Sequence, residues 1–280
     1  MYIDSHCHIN FPELHERMDA VLSAMEDHKV SHALCVSVTL DKFPDILALA
    51  NHKQHIFASV GVHPDYENIT EPTVEELVDL SRHEKVVAIG ETGLDYFRLK
   101  GDLTWQRERF RTHIQAAVAA NLPLIIHTRQ APEDTIRIMK EEQADKAKGV
   151  MHCFTESYEM AKQAMDLGFF ISFSGIITFK NAEDLRATVK KIPLENMLIE
   201  TDSPYLAPVP NRGKMNEPSN VIYVAEKIAE IKNISVEGES GAGGVKVILN
   251  GNGEMVSIQI DPKILAEEKS VIEDLIVAAT

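Results

Sequence analysis

The 280-residue sequence has few cysteines, no long apolar run and no excess of positive charge. Cys7, Cys35 and Cys153 form an odd and sparse set, as expected of reduced thiols in the cytoplasm, and we interpret them as small buried packing residues. No run of about 18 apolar residues occurs, so we predict no membrane-spanning helix. The first ten residues lack the basic and apolar regions of a signal peptide. We therefore expect a cytoplasmic protein that makes no use of a membrane.

The net charge is −15, with 28 basic and 43 acidic residues. This balance argues against a general electrostatic attraction to nucleic acid. It does not exclude a nucleic-acid substrate, because divalent cations and a few local arginines or lysines in a cleft can attract phosphate. The length and the ordinary apolar content predict one or two globular domains.

Short β-branched runs alternate with amphipathic helical segments along most of the chain. The eight predicted strands cover residues 1–6, 33–39, 56–62, 85–91, 122–127, 149–154, 169–175 and 196–202. Eight regular repeats without a glycine-rich phosphate loop favour a closed (β/α)₈ TIM barrel of the α/β class over an open doubly wound sheet.

The pattern changes after about residue 233. The segments "VKVIL" (245–249) and "EMVSIQI" (254–260) flank "NGNG", a strong β-hairpin signal, and a helical pattern follows over 263–279. We predict a barrel domain over 1–234 and a C-terminal β-hairpin plus helix over 235–280.

Histidines and carboxylates recur where the predicted barrel strands end. The active site of such a barrel is built at the carboxyl ends of its strands. The residues at these ends are His6, His8, His63, Glu91, His127, His152 and Asp202. Taken singly, each could be a hydrogen-bonded structural residue, His63 could serve a turn, and Glu91 could cap the following segment.

Together these side chains suffice for two divalent cations bridged by a carboxylate and a water. We assign His6, His8, Glu91 and Asp202 to one metal, with Glu91 shared with a second metal that His127 and His152 complete. Glu91 and Asp202 are the predicted catalytic residues, and Asp202 could also accept the proton of the attacking water. The other seven histidines are predicted to lie at the surface: His15, His28, His32, His52, His55, His83 and His113.

Four further residues are candidates for substrate binding. Asp95 and Arg129 follow predicted strands 4 and 5, and Arg212 and Lys214 lie in the loop after strand 8, where basic residues can hold a phosphate. The alternative for the loop residues is that they are solvated surface charges.

Motifs spread over residues 1 to about 235 resemble the TatD-type metal-dependent deoxyribonucleases in collinear order. They are "DSHCHINF", "GVHPD", "AIGETGLDYF", "QRERFRTHIQAA", "PLIIHTR", "GVMHCFTES", "FFISFSG" and "LIETDSPYLAP…RGKMNEPSNV". The resemblance implies a TIM barrel of the amidohydrolase kind. It also implies cytoplasmic, metal-dependent hydrolysis of phosphodiester bonds, with DNA as the usual substrate, often cut from its 3′ end.

The family's metal ligands carry over to His6, His8, Glu91, His127, His152 and Asp202. The histidine of the family's "GxHP" motif matches His63 and implies a substrate contact. Gln130 departs from the pattern, because an acidic residue usually follows "HTR". An imidazole-rich site suits Zn²⁺ or Mn²⁺, whereas the resemblance implies activation by Mg²⁺.

The C-terminus departs from this family, since it lacks a closing helix with a "TTxNxxxLF"-like end. Residues 235–280 instead resemble the core of the YbaB/EbfC nucleoid-associated DNA-binding proteins, which are dimers, without that family's leading helix and tail. Three lysines against eight acidic residues give this segment a net charge of −5, which counts against free DNA binding. We interpret the chain as a fusion of two protein families.

The favoured hypothesis is a phosphodiesterase that acts on single-stranded DNA or on 3′ ends with two divalent ions. An amidohydrolase that opens a cyclic amide or lactone would share this scaffold and metal chemistry. Glu91 counts against that reading, because many of those enzymes carry a modified lysine on strand 4. A DNA-binding fusion protein with an impaired barrel is the third possibility. The sequence leaves the oligomeric state open.

Overall fold

The computed structural model describes residues 1–233, 235–250 and 254–280. Within these ranges the chain forms two compact units, Met1–Val224 and Ala225–Thr280. The glycine-rich turn of the predicted hairpin, at residues 251–253, lies outside the described residues. Among the helices that are described, none is both long and apolar enough to cross a lipid bilayer.

The first unit is built on eight parallel strands that follow one another around a nearly closed barrel. A single parallel bridge between Cys7 and Ser203 joins the first strand to the segment after the last one. The strands are β1 (Tyr2–Cys7), β2 (Val30–Cys35), β3 (Ile56–Val60), β4 (Val86–Asp95), β5 (Leu124–Arg129), β6 (Gly149–Met151), β7 (Phe169–Phe173) and β8 (Met197–Ile199). The predicted (β/α)₈ architecture is confirmed.

Helices connect successive strands, and local sequence signals explain where several of them begin. Thr73 and Ser157 accept hydrogen bonds from the backbone N–H groups three residues on, and Pro132 occupies the first turn of its helix. The helices are α1 (Pro12–His15), α2 (Met18–Asp27), α3 (Phe43–His52), α4 (Val74–Leu80), α5 (Thr104–Ala120), α6 (Pro132–Glu141), α7 (Tyr158–Asp166), α8 (Glu183–Lys191) and α9 (Val221–Ile231).

The second unit contains a three-stranded antiparallel sheet in the order β11-β10-β9 and one further helix. These elements are β9 (Ser235–Ser240), β10 (Val245–Asn250), β11 (Met255–Ile260) and α10 (Lys269–Ala279). The predicted pair of strands and the helix are present. Strand β9 was not predicted, because "SVEGES" carries glycine and acids in place of an apolar alternation. Glycine is required at its position 238, since a Cβ there would lie 1.9 Å from the carbonyl oxygen of Ala279.

One surface prediction was wrong. His113 is completely buried on α5, whereas the other six histidines of that set are exposed or partly exposed. Its Nδ1 lies 2.8 Å from the carbonyl oxygen of Arg109, and its Nε2 accepts a hydrogen bond from the backbone N–H of Val62. The imidazole thus ties α5 to the segment after β3, a tertiary contact that helical periodicity does not reveal.

Candidate metal centre

The barrel strands bring the predicted metal ligands together at their carboxyl ends. His6 and His127 belong to β1 and β5, and Glu91 lies within β4. His8, His152 and Asp202 follow the ends of β1, β6 and β8 by one to three residues. Because all eight strands run parallel, these side chains converge on one end of the barrel.

Glu91 lies at the centre of the cluster and is almost fully buried. Its Oε1 is 3.0 Å from Nε2 of His152, 3.2 Å from Nδ1 of His127 and 3.3 Å from Nε2 of His63. Its Oε2 instead lies 3.3 Å from Nε2 of His6. The two oxygens of one carboxylate therefore face different groups of imidazoles.

His8 and Asp202 complete the group around His6, which faces Oε2 of Glu91. Nε2 of His8 is 3.4 Å from Oδ1 of Asp202 and 3.3 Å from Nε2 of His6. The His6 nitrogen is also 3.7 Å from that same Asp202 oxygen. Three overlapping sets of possible ligands result: His6, His8 and Glu91; His6, His152 and Asp202; and His63, Glu91 and His127.

In three of the imidazoles, the ring nitrogen that points away from the cluster, here called the outer nitrogen, lies next to an oxygen atom. This arrangement fits a metal site. Nδ1 of His8 lies 3.1 Å from the carbonyl oxygen of Val36, and Nδ1 of His152 lies 3.0 Å from Oε1 of Glu200. Nε2 of His127 lies 3.2 Å from Oδ2 of Asp95. When the outer nitrogen carries the proton, the inner nitrogen presents a lone pair, which is the usual arrangement of metal-binding histidines.

Electrostatic interactions within the cluster are strong. Burial opposes ionisation of Glu91, but His152, His63 and His6 outweigh it and hold its pKa well below the usual range. Burial likewise opposes the charged form of His152, yet Glu91 and Glu200 raise its pKa well above normal. Burial and then His152 lower the pKa of His6. A divalent cation would compete with these protons for the same nitrogen atoms.

Three carboxylates beside the cluster escaped sequence reasoning. Glu200 is completely buried, and its Oε1 accepts a hydrogen bond from the backbone N–H of Cys153 as well as facing His152. Asp65 lies 2.5 Å from Nδ1 of His63. Asp4 accepts hydrogen bonds from the backbone and hydroxyl of Thr201. The sequence signal was the alternation in "LIETD", which places two carboxylates at the end of β8.

An open cleft of about 550 Å³ leads to the cluster. Of the predicted substrate contacts, His63, Asp95 and Arg129 line it. Burial opposes the charge of Asp95, but the interaction with His127 and hydrogen bonds from the backbone N–H groups of Arg98 and Phe97 together outweigh it and lower the pKa of Asp95 to about 2. Cys153 also lines the cleft and is partly exposed, whereas Cys7 and Cys35 are buried as predicted.

The other two predicted substrate contacts, Arg212 and Lys214, are not among the residues that line this cleft. The guanidinium of Arg212 stacks 3.8 Å from the ring centroid of Phe179 and donates to the carbonyl oxygen of Ala207. The structure thus brings together the six proposed ligands and three of the five proposed substrate contacts.

A parallel eight-stranded barrel with histidines and carboxylates clustered at its carboxyl ends defines the class: a metal-dependent hydrolase of the amidohydrolase fold. Residues 3–240 match the family described as TatD related DNase, and the chain belongs to that family.

Relatives and solved structures agree with this assignment. The metal-dependent hydrolase YcfH of Escherichia coli K12 is 46% identical over 239 residues, which cover 84% of this chain and 89% of that protein. The metal-dependent hydrolase YabD of Bacillus subtilis is 43% identical over 238 residues, 85% of this chain and 93% of the relative. The crystal structure of YJJV, a TatD homolog from Escherichia coli K12, superposes with a TM-score of 0.76 at 30% identity, and the superposition covers 82% and 90% of the two chains.

The C-terminal residues match a second family. Residues 224–280 match the YbaB/EbfC DNA-binding family, so the two matches overlap over 224–240. This second match starts eleven residues before the segment 235–280 that the sequence motifs indicated, and it includes most of α9.

Proposed function

We propose that this protein hydrolyses phosphodiester bonds of DNA with two divalent metal ions, as a deoxyribonuclease that removes nucleotides from 3′ ends. One observation carries the proposal: the two oxygens of Glu91 face two different groups of imidazoles. A carboxylate in this position can bridge two cations. His6, His8 and Asp202 would complete the ligands of one cation, and His127 and His152 those of the other.

A pair of bound cations would lower the pKa of a water molecule between them and neutralise charge on the phosphate. Mn²⁺ and Zn²⁺ suit the imidazole ligands, and Mg²⁺ is the third candidate. Asp202 is the proposed proton acceptor. Burial opposes its ionisation, but the hydrogen bond from His8 and the charges of His152 and His6 lower its pKa, so it is present as the carboxylate.

His63, Asp95 and Arg129 are the proposed substrate-positioning residues, because they line the cleft next to Glu91. Asp95 would act through His127, whose ring it orients. The contacts predicted for Arg212 and Lys214 stay predictions. The domain division near residue 234 is likewise proposed, with the YbaB-like segment as an accessory DNA-binding element.

The decisive experiment measures release of nucleotides from single-stranded DNA with Mg²⁺, Mn²⁺ or Zn²⁺. We expect metal-stimulated release, abolished by a chelator and by Asp202→Asn, with Asp41→Asn as a matched control at an exposed position. Absence of release with all three metals would eliminate the nuclease. Hydrolysis of a cyclic amide or lactone in its place would favour an amidohydrolase, and DNA binding without hydrolysis would favour a binding protein with an impaired barrel.

A further inference from the structure

An aromatic pair forms one wall of the cleft. Phe11 follows β1 and Tyr205 follows β8, and their ring centroids lie 6.3 Å apart at 74°. Phe11 in turn stacks on the proposed ligand His8, at 5.0 Å and 15°. Tyr205 is nevertheless 55% exposed, so a large aromatic residue faces solvent beside the candidate metal centre. We call Phe11 and Tyr205 the aromatic wall.

Two hydrogen bonds fix the backbone from which the Tyr205 ring projects. The N–H of Tyr205 donates to the carbonyl oxygen of Asp202, and its own carbonyl oxygen accepts a 2.6 Å hydrogen bond from the buried side chain of Asn216. Exposing an aromatic ring to water costs solvation free energy, and such a ring offers a surface on which a base can stack.

An arginine lines the cleft from another side. The guanidinium of Arg129 lies 3.9 Å from the ring centroid of Phe97. Within the described residues, Arg129 has no carboxylate within 4.0 Å and its side chain has no hydrogen-bond acceptor, whereas Arg98 pairs with Asp65 at 2.6 Å. Stacking fixes the plane of the guanidinium and leaves its N–H groups available to a phosphate.

The two features face each other across the barrel. Arg129 ends β5 and Phe97 follows β4, whereas the aromatic wall follows β1 and β8. In a ring of eight strands in sequential order, β1 lies opposite β5 and β8 lies opposite β4. A ligand that touches both Tyr205 and Arg129 must therefore pass over the cluster centred on Glu91.

We propose that this cleft binds one unpaired nucleotide, with its base stacked on the aromatic wall and an adjoining phosphate on Arg129. The volume of about 550 Å³ suits one small ligand. A base inside a duplex cannot reach the ring, because it is already stacked between its neighbours. This proposal rests on the proposed function and deepens it: the aromatic wall would select frayed or single-stranded DNA.

The test measures the affinity for DNA, so its outcome does not depend on whether the protein cleaves DNA. A single-stranded oligodeoxynucleotide with phosphorothioate linkages resists cleavage, and fluorescence anisotropy with the full-length protein gives its affinity. Matched strands lack the base at the 3′ end, at the 5′ end or at a central position. We expect the wild type to lose affinity about tenfold for one of these strands, the typical value of a base stacked on an aromatic side chain.

Tyr205→Ala should bind the complete strand about tenfold more weakly and no longer distinguish it from that abasic strand. Tyr205→Phe keeps the ring and should behave like the wild type. Arg129→Met should weaken binding of both strands equally and reduce the salt dependence. Tyr158→Ala removes a ring outside this cleft and should change nothing.

Two results would overturn the inference. In one, the wild type binds every abasic strand as tightly as the complete one; in the other, Tyr205→Ala still distinguishes them. If metal-dependent cleavage of the unmodified strand persists in either case, only the stacking proposal fails. If the discrimination depends on Tyr205 but no metal supports cleavage, the binding site stands and the proposed nuclease fails.

Discussion

The two compact units of this chain differ in how they use polar side chains. The barrel unit buries histidines and carboxylates and makes them converge, as Glu91 does with its four imidazole neighbours. In the described part of the C-terminal unit, Val245, Val247 and Ala279 form one buried apolar cluster with partly buried apolar neighbours. Its ion pairs, such as Lys246 with Glu237, lie at the surface.

This contrast assigns the candidate metal chemistry to the barrel unit. Burying ionisable groups costs solvation free energy, and a fold keeps them when they hold each other or a cation. The possible metal-ligand groups found among the described residues all lie in the barrel. The C-terminal unit, by comparison, buries an apolar cluster and keeps ion pairs such as Lys246 with Glu237 at its surface.

The largest expected effect concerns the buried His113. Burial lowers its pKa from 6.5 to about 4, so the folded barrel binds this proton less readily than the unfolded chain does. The neutral imidazole therefore stabilises the fold fully above pH 6.5, and this stability is lost as the pH falls towards 4. The loss over that interval is on the order of 3 kcal/mol.

Urea unfolding of wild type and His113→Gln at a series of pH values measures this effect. The destabilisation caused by the substitution should be greatest near pH 8 and shrink as the pH falls below 6.5. His28→Gln removes an exposed imidazole and serves as the control. A difference between wild type and His113→Gln that stays constant with pH would contradict the prediction.

The next effect concerns the carboxylate behind a proposed ligand. Glu200→Gln removes the charge that faces Nδ1 of His152 and leaves a buried amide N–H₂ beside it. Metal affinity, measured by calorimetry, and the rate of DNA hydrolysis should each fall about 10- to 100-fold. Glu195→Gln removes the charge of an exposed glutamate just before β8 and should change neither the metal affinity nor the rate of hydrolysis. Unchanged metal affinity in Glu200→Gln would show that this carboxylate supports only the fold.

The barrel could be predicted because its strands are strongly apolar. The observed strands differ from the predicted ones where polar residues belong to a strand. Strand β4 was expected to end at Glu91 but continues to Asp95. The polar "ETGLD" is buried there, because side chains such as His127 supply it with hydrogen-bond partners. Strand β9 was missed for a related reason: it pairs with β10 through its backbone, while its own side chains are largely exposed.

The proposed ligands could be identified because each lies in or just beyond a strand of the barrel. Position does not reveal the supporting role of Glu200, although Glu200 directly follows β8, because it acts through Nδ1 of His152, a residue 48 positions away. Asp65 acts in the same way through Nδ1 of His63, at a turn after β3. Their role depends on which way an imidazole ring faces, and that is set by packing. Arg212 was predicted to bind substrate like Arg129, but it lies in the long loop after β8, its guanidinium packs on Phe179, and it is not among the residues that line the cleft.

The smallest expected effect on catalysis comes from the C-terminal unit. Val247→Asp places a carboxylate in a core of few residues and should unfold the strands around it, because burying an unpaired charge costs several kcal/mol. Every proposed ligand lies between residues 6 and 202, inside the first unit. At saturating DNA, the rate of nucleotide release should therefore stay within about twofold of the wild type, as expected when the substitution and the proposed ligands lie in different compact units.

Hydrogen exchange and nucleotide release together check this last prediction. Amides of β10 and β11 should lose protection in Val247→Asp, while those of β4 and β5 keep it. Val256→Asp puts the same charge on an exposed position of β11 and should leave both measurements unchanged. A large loss of the rate at saturating DNA in Val247→Asp, with the barrel still protected, would mean that the YbaB-like unit takes part in catalysis, and the assignment of the chemistry to the barrel unit would then fail.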